Sequence, residues 1–333
     1  MTKTITLAHG NGGAENQALI HEIFWKHLGN EILDRGEDAA LLPTLTNPAM
    51  TTDSFTVSPL IFPGGDIGKL SICGTCNDLA MMGAKPKYLS LSVIVEEGFE
   101  ARKLERIVRS MKKELSTNDA QIVSGDTKVV PKGTVDGLFI NTTGIGEVQA
   151  PGIGVHNIQE GDAIIVSRDI GRHGATIFVS REGLEMQSSL QSDCASLWPQ
   201  VASLLDTGIR PHALRDATRG GLAAVLNEWA AANELCIEVE EGAIPVSEEV
   251  RGICEMLGFE PTALANEGAF VMALDPKDVP MALEILEAFP GCESAALIGT
   301  VTQSHPGRVV LQSEWGTRRF LELPTGELLP RIC

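Results

Sequence analysis

The chain has 333 residues and a mass of 35.5 kDa, of which 43% are hydrophobic and 21% charged; this is enough apolar side chain for a sizeable core and too much for a disordered polymer. Its 26 Lys and Arg against 44 Asp and Glu leave a formal charge of −18, which excludes a nucleic-acid backbone or an anionic membrane as the main partner but not a small anion held through a metal ion. Apolar runs such as 89–95 fall far below the roughly 20 residues that cross a bilayer, and the polar start 1–6 lacks a signal-peptide pattern. Seven scattered cysteines, an odd number, form no small-domain disulfide framework. The expected compartment is therefore reducing, the cytoplasm.

In chain order, 3.6-residue apolar spacing at Leu19, Ile20, Ile23, Phe24 and Leu28, ended by Gly29, predicts a first helix. Leu104, Ile107, Val108, Met111 and Leu115 predict a second. β-type runs at 88–95, 121–124 and 138–142, bounded by Gly, Pro or Asp, predict strands around it. The Pro/Gly-rich passage 150–155 marks a domain boundary near residue 155, after which the apolar run 163–166 opens a second domain with a buried strand. Helical patterns follow at 196–205, 222–232, 248–257 and 279–289, with strands at 213–215, 237–239, 269–274, 296–301 and 309–311. The expected class is α/β (α+β), with domains 1–155 and 156–320. A flexible tail, 321–333, is broken by Pro324, Gly326 and Pro330.

Several segments suit chemistry. His9-Gly10-Asn11-Gly12-Gly13, between a strand pattern and a helix, either brings backbone N–H groups close to a phosphate or simply turns and caps the helix. Residues 63–70 fail the Walker A pattern, because Leu70 stands where a hydroxyl is required; Lys69 is left as a point charge for a phosphate or as an exposed lysine in a first helical turn. Asp53, Asp78 and Asp126 each stand near the end of an apolar segment. Singly each reads as a cap or Asx-turn, and together they could hold the Mg²⁺ through which an acidic protein binds a nucleotide triphosphate. Cys73-Gly74-Thr75-Cys76 has redox or half-zinc spacing, but no second pair accompanies it, so small buried helical residues are expected. Asp216-Ala217-Thr218-Arg219-Gly220-Gly221 opens a helix at a strand-to-helix turn where two glycines allow close backbone approach to an anion. Glu267, just before a strand, is either a general base or a surface carboxylate. Cys333 ends the chain beyond any core pattern and is either a residue with a covalent role or an accidental terminal cysteine; Arg331 and the terminal carboxylate push its thiol pKa in opposite directions.

Read together, His9-Gly10-x-Gly12-Gly13, Thr52-Asp53-Ser54, Gly68-Lys69, Asn77-Asp78-Leu79-Ala80, Gly83-Ala84, Ser124-Gly125-Asp126-Thr127-Lys128, Asp216 to Gly221 and the terminal Pro330-Arg331-Ile332-Cys333 resemble the hydrogenase-maturation HypE family across essentially the whole chain. That family sits in the superfamily of aminoimidazole ribonucleotide synthetase and selenophosphate synthetase. The resemblance implies the two-domain aminoimidazole ribonucleotide synthetase-like fold, with N-terminal sheets forming a barrel across a homodimer. It implies ATP and Mg²⁺, with Asp38, Asp53, Asp78 and Asp126 toward the metal, although Glu37 stands where many superfamily relatives carry Asp. Gly10, Gly12, Gly13, Lys69, Asn77, Thr127 and Lys128 would lie toward the nucleotide. It further implies that Cys333 receives a carbamoyl group from a HypF-type carbamoyltransferase. ATP-dependent dehydration, with Asp78 or Glu267 as base, would then give a thiocyanate whose cyanide passes to a HypC–HypD-type iron-carrying complex for the iron of [NiFe] hydrogenase. Two rivals remain open: a small-molecule kinase or ligase of the same superfamily, and a non-catalytic cysteine carrier or scaffold.

Overall fold

The structure, a computed structural model, describes residues 4–182, 189–325 and 331–333. The first three residues and the tail positions Gly326 and Pro330 lie outside the described residues. The N-terminal helix runs as α1 (Ala14–Leu19), continues through a π-helical stretch (Ile20–Trp25) and closes as α2 (Lys26–Leu28); the chain leaves it at Gly29, where a Cβ would come within 2.6 Å of the Trp25 carbonyl. Next come β1 (Pro48–Phe55), the small hairpin β2 (Ile61–Phe62) and β3 (Gly65–Asp66), α3 (Ile67–Met81), β4 (Ala84–Glu96), α4 (Ala101–Asn118), β5 (Gln121–Val130) and β6 (Leu138–Val148). The four long strands form one sheet in the order β1-β6-β4-β5, so that β1 and β5 are its open edges.

Helix α3, which periodicity does not reveal, is buried all round: of its fifteen residues only Lys69 and Asp78 are not buried. Cys73 and Cys76 are completely buried in it, as small helical residues. Gly68 and Gly74 make this burial possible. A Cβ on Gly68 would come within 2.8 Å of the Ile107 side chain of α4, and one on Gly74 within 2.9 Å of the Phe55 ring of β1. Helix α4 has the expected amphipathic form, burying Leu104, Ile107, Val108, Met111 and Leu115.

Beyond a loop at 149–162 come β7 (Ala163–Val166), α5 (Arg172–Glu182), α6 (Trp198–Asp206), β8 (Ala213–Asp216), α7 (Gly221–Asn233), β9 (Cys236–Glu240), α8 (Glu248–Leu257), β10 (Phe270–Leu274), α9 (Val279–Glu287), β11 (Ala296–Thr302), β12 (Arg308–Gln312) and β13 (Arg318–Phe320). Seven strands form a mixed sheet in the order β13-β12-β9-β11-β7-β10-β8. Its two faces bury alternate residues of β7. Ile164 and Val166 pack with Leu226 and Trp229 of α7, and Ile165 packs with Val201 of α6 and Leu286 of α9. A strand covered on both faces reads as an unbroken apolar run, which is why 163–166 is legible. Ala80 and Met81 of α3 join the second of these clusters and couple the two sheets.

Candidate active site

Between the sheets opens a cleft of about 710 Å³ lined by Asp53, Asp78, Asp216, Arg219, Glu267 and Cys333, among others. Asp53 lies on β1 and Asp78 on the last turn of α3, where its carboxylate accepts a 2.7 Å hydrogen bond from the Thr51 hydroxyl of β1. Asp216 ends β8 and pairs in register with Phe270 of β10, so Asp216 and Glu267 stand at the same end of the second sheet. The strand-end position of Asp216 is the same signal that marks Asp53 and Asp78; sequence reasoning placed only the glycines of that segment near a ligand. Those glycines serve the fold instead. Gly220 and Gly221 take φ of 78° and 61°, and a Cβ on Gly221 would meet the Thr262 and Leu264 carbonyls at 2.5 Å.

Glu267 is not a surface carboxylate: it is 3% exposed. Its backbone N–H and that of Gly268 donate to the Asp193 carboxylate at 3.2 and 2.9 Å, a contact between segments about 75 residues apart that no local pattern reveals. Burial, then Asp216, Asp193 and Asp53, raise its pKa well above the ordinary range. Burial and the Asp78 charge push Asp216 up to about 7, and burial also raises Asp78. These shifts describe a cleft with more buried negative charge than Arg215 and Arg219 offset. A donor set of hard carboxylate oxygens in such surroundings fits Mg²⁺ with a triphosphate. Among the described residues the acids are not drawn into one tight ligand group; the group that is, Cys236, Glu238 and His305, involves β9 and lies apart from the cleft.

A pH dependence follows from Asp216. Its native pKa of about 7 exceeds the unfolded value of 3.8, so the folded protein holds a proton that the unfolded chain has lost, and stability falls as pH rises between those values. We expect Asp216→Asn to be more resistant to urea than wild type at about pH 8, with the gap closing toward about pH 4. A gap that does not change with pH would contradict this.

The tail enters the cleft. The Cys333 carbonyl accepts from the Thr56 backbone N–H at 3.0 Å and its hydroxyl at 3.3 Å, while Ile332 is buried in the N-terminal core. Arg331 is taken up by the Thr56 carbonyl at 2.9 Å and Asp136 at 2.7 Å, so Arg219 rather than Arg331 is the cation acting on the thiol. Burial, then Glu267, raise the Cys333 thiol to about 12, with Arg219 opposing. The docked sulfur is thus a neutral thiol, and the cleft favours a neutral cargo on it over a thiolate.

Other sequence candidates stand elsewhere. Asn77 is buried, its amide donating to the Ala195 carbonyl at 3.0 Å and accepting from Leu197 N–H at 2.8 Å; it staples α3 to the second domain and does not line the cleft. Lys69 occupies the first turn of α3, its ammonium donating to the Gly64 carbonyl at 3.1 Å, also outside the cleft lining. Asp38, Asp126 and Thr127 line a separate hollow of about 420 Å³. Lys128 pairs with Asp126 at 2.9 Å. Gly10 lies against Val129 of β5, where a Cβ would come within 2.9 Å of the backbone nitrogen; Gly12 has φ 76°, and Gly13 caps α1. Asp53 belongs to the row Asp53–Thr142–Leu91–Gly125 across the sheet and Asp126 to the adjacent row Ser54–Asn141–Ser92–Asp126. The two acids therefore face opposite sides of one sheet, on opposite edges, and cannot share an ion within one chain.

Comparison with known proteins agrees with this architecture. Residues 36–148 match the family described as AIR synthase related protein, N-terminal domain, and residues 159–312 its C-terminal domain. Fold and cleft thus define a two-domain AIR synthase related protein. Carbamoyl dehydratase HypE of Escherichia coli (strain K12) is 45% identical over 99% of both chains. A crystal structure of hydrogenase maturation protein HypE in complex with ATP superposes with a TM-score of 0.95 at 44% identity, covering 99% of this chain and 100% of that one. A HypE–HypF complex matches with a TM-score of 0.81 at 42% identity, covering 92% and 100%. The chain belongs to the HypE family of carbamoyl dehydratases.

Proposed function

We propose that this protein is an ATP-dependent carbamoyl dehydratase acting on its own C-terminal cysteine. The observation that carries the reading is the docking of Cys333 in the cleft that gathers Asp53, Asp78, Asp216 and Glu267. The reaction converts S-carbamoyl-Cys333 and ATP to S-cyano-Cys333, ADP and inorganic phosphate. The amide oxygen, a poor leaving group, is phosphorylated and departs in the phosphate, and the two N–H protons are removed. Glu267 is the base for those protons: among charged groups it acts most strongly on Cys333, and once ionised, a carboxylate whose pKa burial raises is a stronger proton acceptor. Asp78, held by Thr51 and next to Asp53 in charge, belongs with Asp53 and Asp216 as a holder of Mg²⁺. That ion, when bound, supplies positive charge to the transferring phosphoryl group.

The second group, Gly10, Gly12, Gly13, Asp38, Asp126, Thr127 and Lys128, serves the nucleotide from a second copy. What supports this is the pair of open edges, β1 and β5. A homodimer joining β5 of one copy to β1 of the other closes the barrel and sets the two groups side by side. Met50, 71% exposed on β1, is apolar surface that such a contact covers. The matched HypE–HypF complex supports a HypF-type carbamoyltransferase as carbamoyl donor, reached when the tail leaves the cleft. A HypC–HypD-type iron-carrying complex is the proposed acceptor of the cyanide. Seven free thiols and the lack, among the described residues, of any helix long and apolar enough to cross a membrane fit work in the cytoplasm.

The test is to carbamoylate the full chain, add Mg–ATP and weigh the terminal peptide. The expected result is ATP-dependent loss of one water's mass from Cys333. Retention of the full carbamoyl mass would overturn the reading.

A further inference from the structure

The tail is held by its backbone. The Arg331 carbonyl accepts from Ser58 N–H at 3.2 Å and Arg181 at 2.9 Å, the Ile332 carbonyl meets His173 Nε2 at 2.7 Å, and the Cys333 carbonyl meets Thr56. Three successive carbonyls are engaged, and none of these bonds uses the Cys333 sulfur, whose side chain lines the cleft. His173 is completely buried on α5, edge-on to the Phe62 ring at 5.5 Å, and burial lowers its pKa, so the ring is neutral. A carbonyl can only accept, so Nε2 carries the proton and Nδ1 accepts from the Ser192 hydroxyl at 2.8 Å. The Ser192 oxygen in turn accepts from Cys194 N–H at 3.0 Å. Asp193, between these two residues, holds the backbone of Glu267 and Gly268. One turn, 192–194, therefore mounts both the ring that grips the tail and the backbone that carries the carboxylate.

We propose that His173 is a positioning residue: through the 192–194 turn it sets the register of the docked tail, and so the place of the Cys333 cargo relative to Glu267. The inference rests on the reading that the cargo reacts beside Glu267, and it assigns His173 no proton transfer.

The test uses the full chain, as wild type, His173→Ala, His173→Gln and Ser192→Ala. One readout is the rate at which iodoacetamide alkylates Cys333, read from the mass of the terminal peptide. The other is the single-turnover rate of water loss from carbamoylated protein at saturating Mg–ATP. Loss of one buried hydrogen bond should raise alkylation in His173→Ala by about tenfold and in Ser192→Ala by a few fold. His173→Gln, whose amide can donate to the same carbonyl, should lie nearer wild type. Single-turnover rates should fall in the same order, with nucleotide affinity unchanged. Wild-type alkylation in a His173→Ala protein of normal melting temperature would overturn the proposal. If that variant fails to fold, Ser192→Ala decides, since it keeps the ring. If carbamoylated wild type loses no water, the dehydratase reading fails while the alkylation series still decides the grip.

Discussion

Glu267→Gln is expected to slow ATP-dependent dehydration of carbamoylated Cys333 by about 10²–10⁴-fold, the usual worth of a positioned general base. The substitution keeps the shape of a side chain that is 3% exposed, and it leaves the Asp193 bonds to the Glu267 and Gly268 backbone in place. Tail docking should therefore survive, and alkylation of Cys333 should stay slow. Stability should move the other way. Because the native pKa is raised, ionisation of Glu267 opposes folding, and the opposition grows as pH rises above the unfolded value of 4.5. The Gln variant should outlast wild type in urea at neutral pH and lose that advantage in acid. An undiminished single-turnover rate would move the base to another group, and Asp78→Asn would then be the variant to compare.

Gly268→Ala should cost both fold and activity. An added Cβ would lie 2.8 Å from the Asp193 carbonyl carbon, closer still to its oxygen, and 3.1 Å from the Ala195 nitrogen. All three atoms are backbone and cannot rotate away. The 193–195 segment must shift, and with it the carboxylate that holds Glu267 and the Ser192 hydroxyl behind His173. We expect a loss of about 3 kcal/mol in urea unfolding together with loss of dehydration. Gly252→Ala is the control: it lies within α8 with no neighbour among the described residues inside 4 Å of its Cβ position, and a helical Ala there should add roughly 0.5–1 kcal/mol. Equal behaviour of the two variants would contradict the account of the 192–194 turn.

The sequence is most legible where one physical demand dominates. Helix α4 shows its apolar stripe because only one side is buried, and β7 reads as an apolar run because both faces are covered. Helix α3 escapes periodicity for the opposite reason: nearly every residue is buried, so no polar face marks the turn. The two residues left unburied on it, Lys69 and Asp78, are both among the chemical candidates, but only Asp78 lines the cleft. Strand β1 hides behind its Thr, Ser and Asp composition, and α5 behind the buried stretch 173–177. Asp53 and Asp78 are visible as acids at segment ends. The burial of Glu267 and the grip of His173 arise from contacts made by the 192–194 turn, and no spacing along the chain encodes such contacts locally.

In the proposed reaction ATP activates the carbamoyl oxygen of a cargo carried on Cys333. The decisive experiment loads the full chain with a carbamoyl group labelled with a heavy oxygen isotope, adds Mg–ATP and follows the label. The label should appear in inorganic phosphate in step with nitrile formation on Cys333. Nitrile formation with unlabelled phosphate, or labelled oxygen released as water, would contradict it.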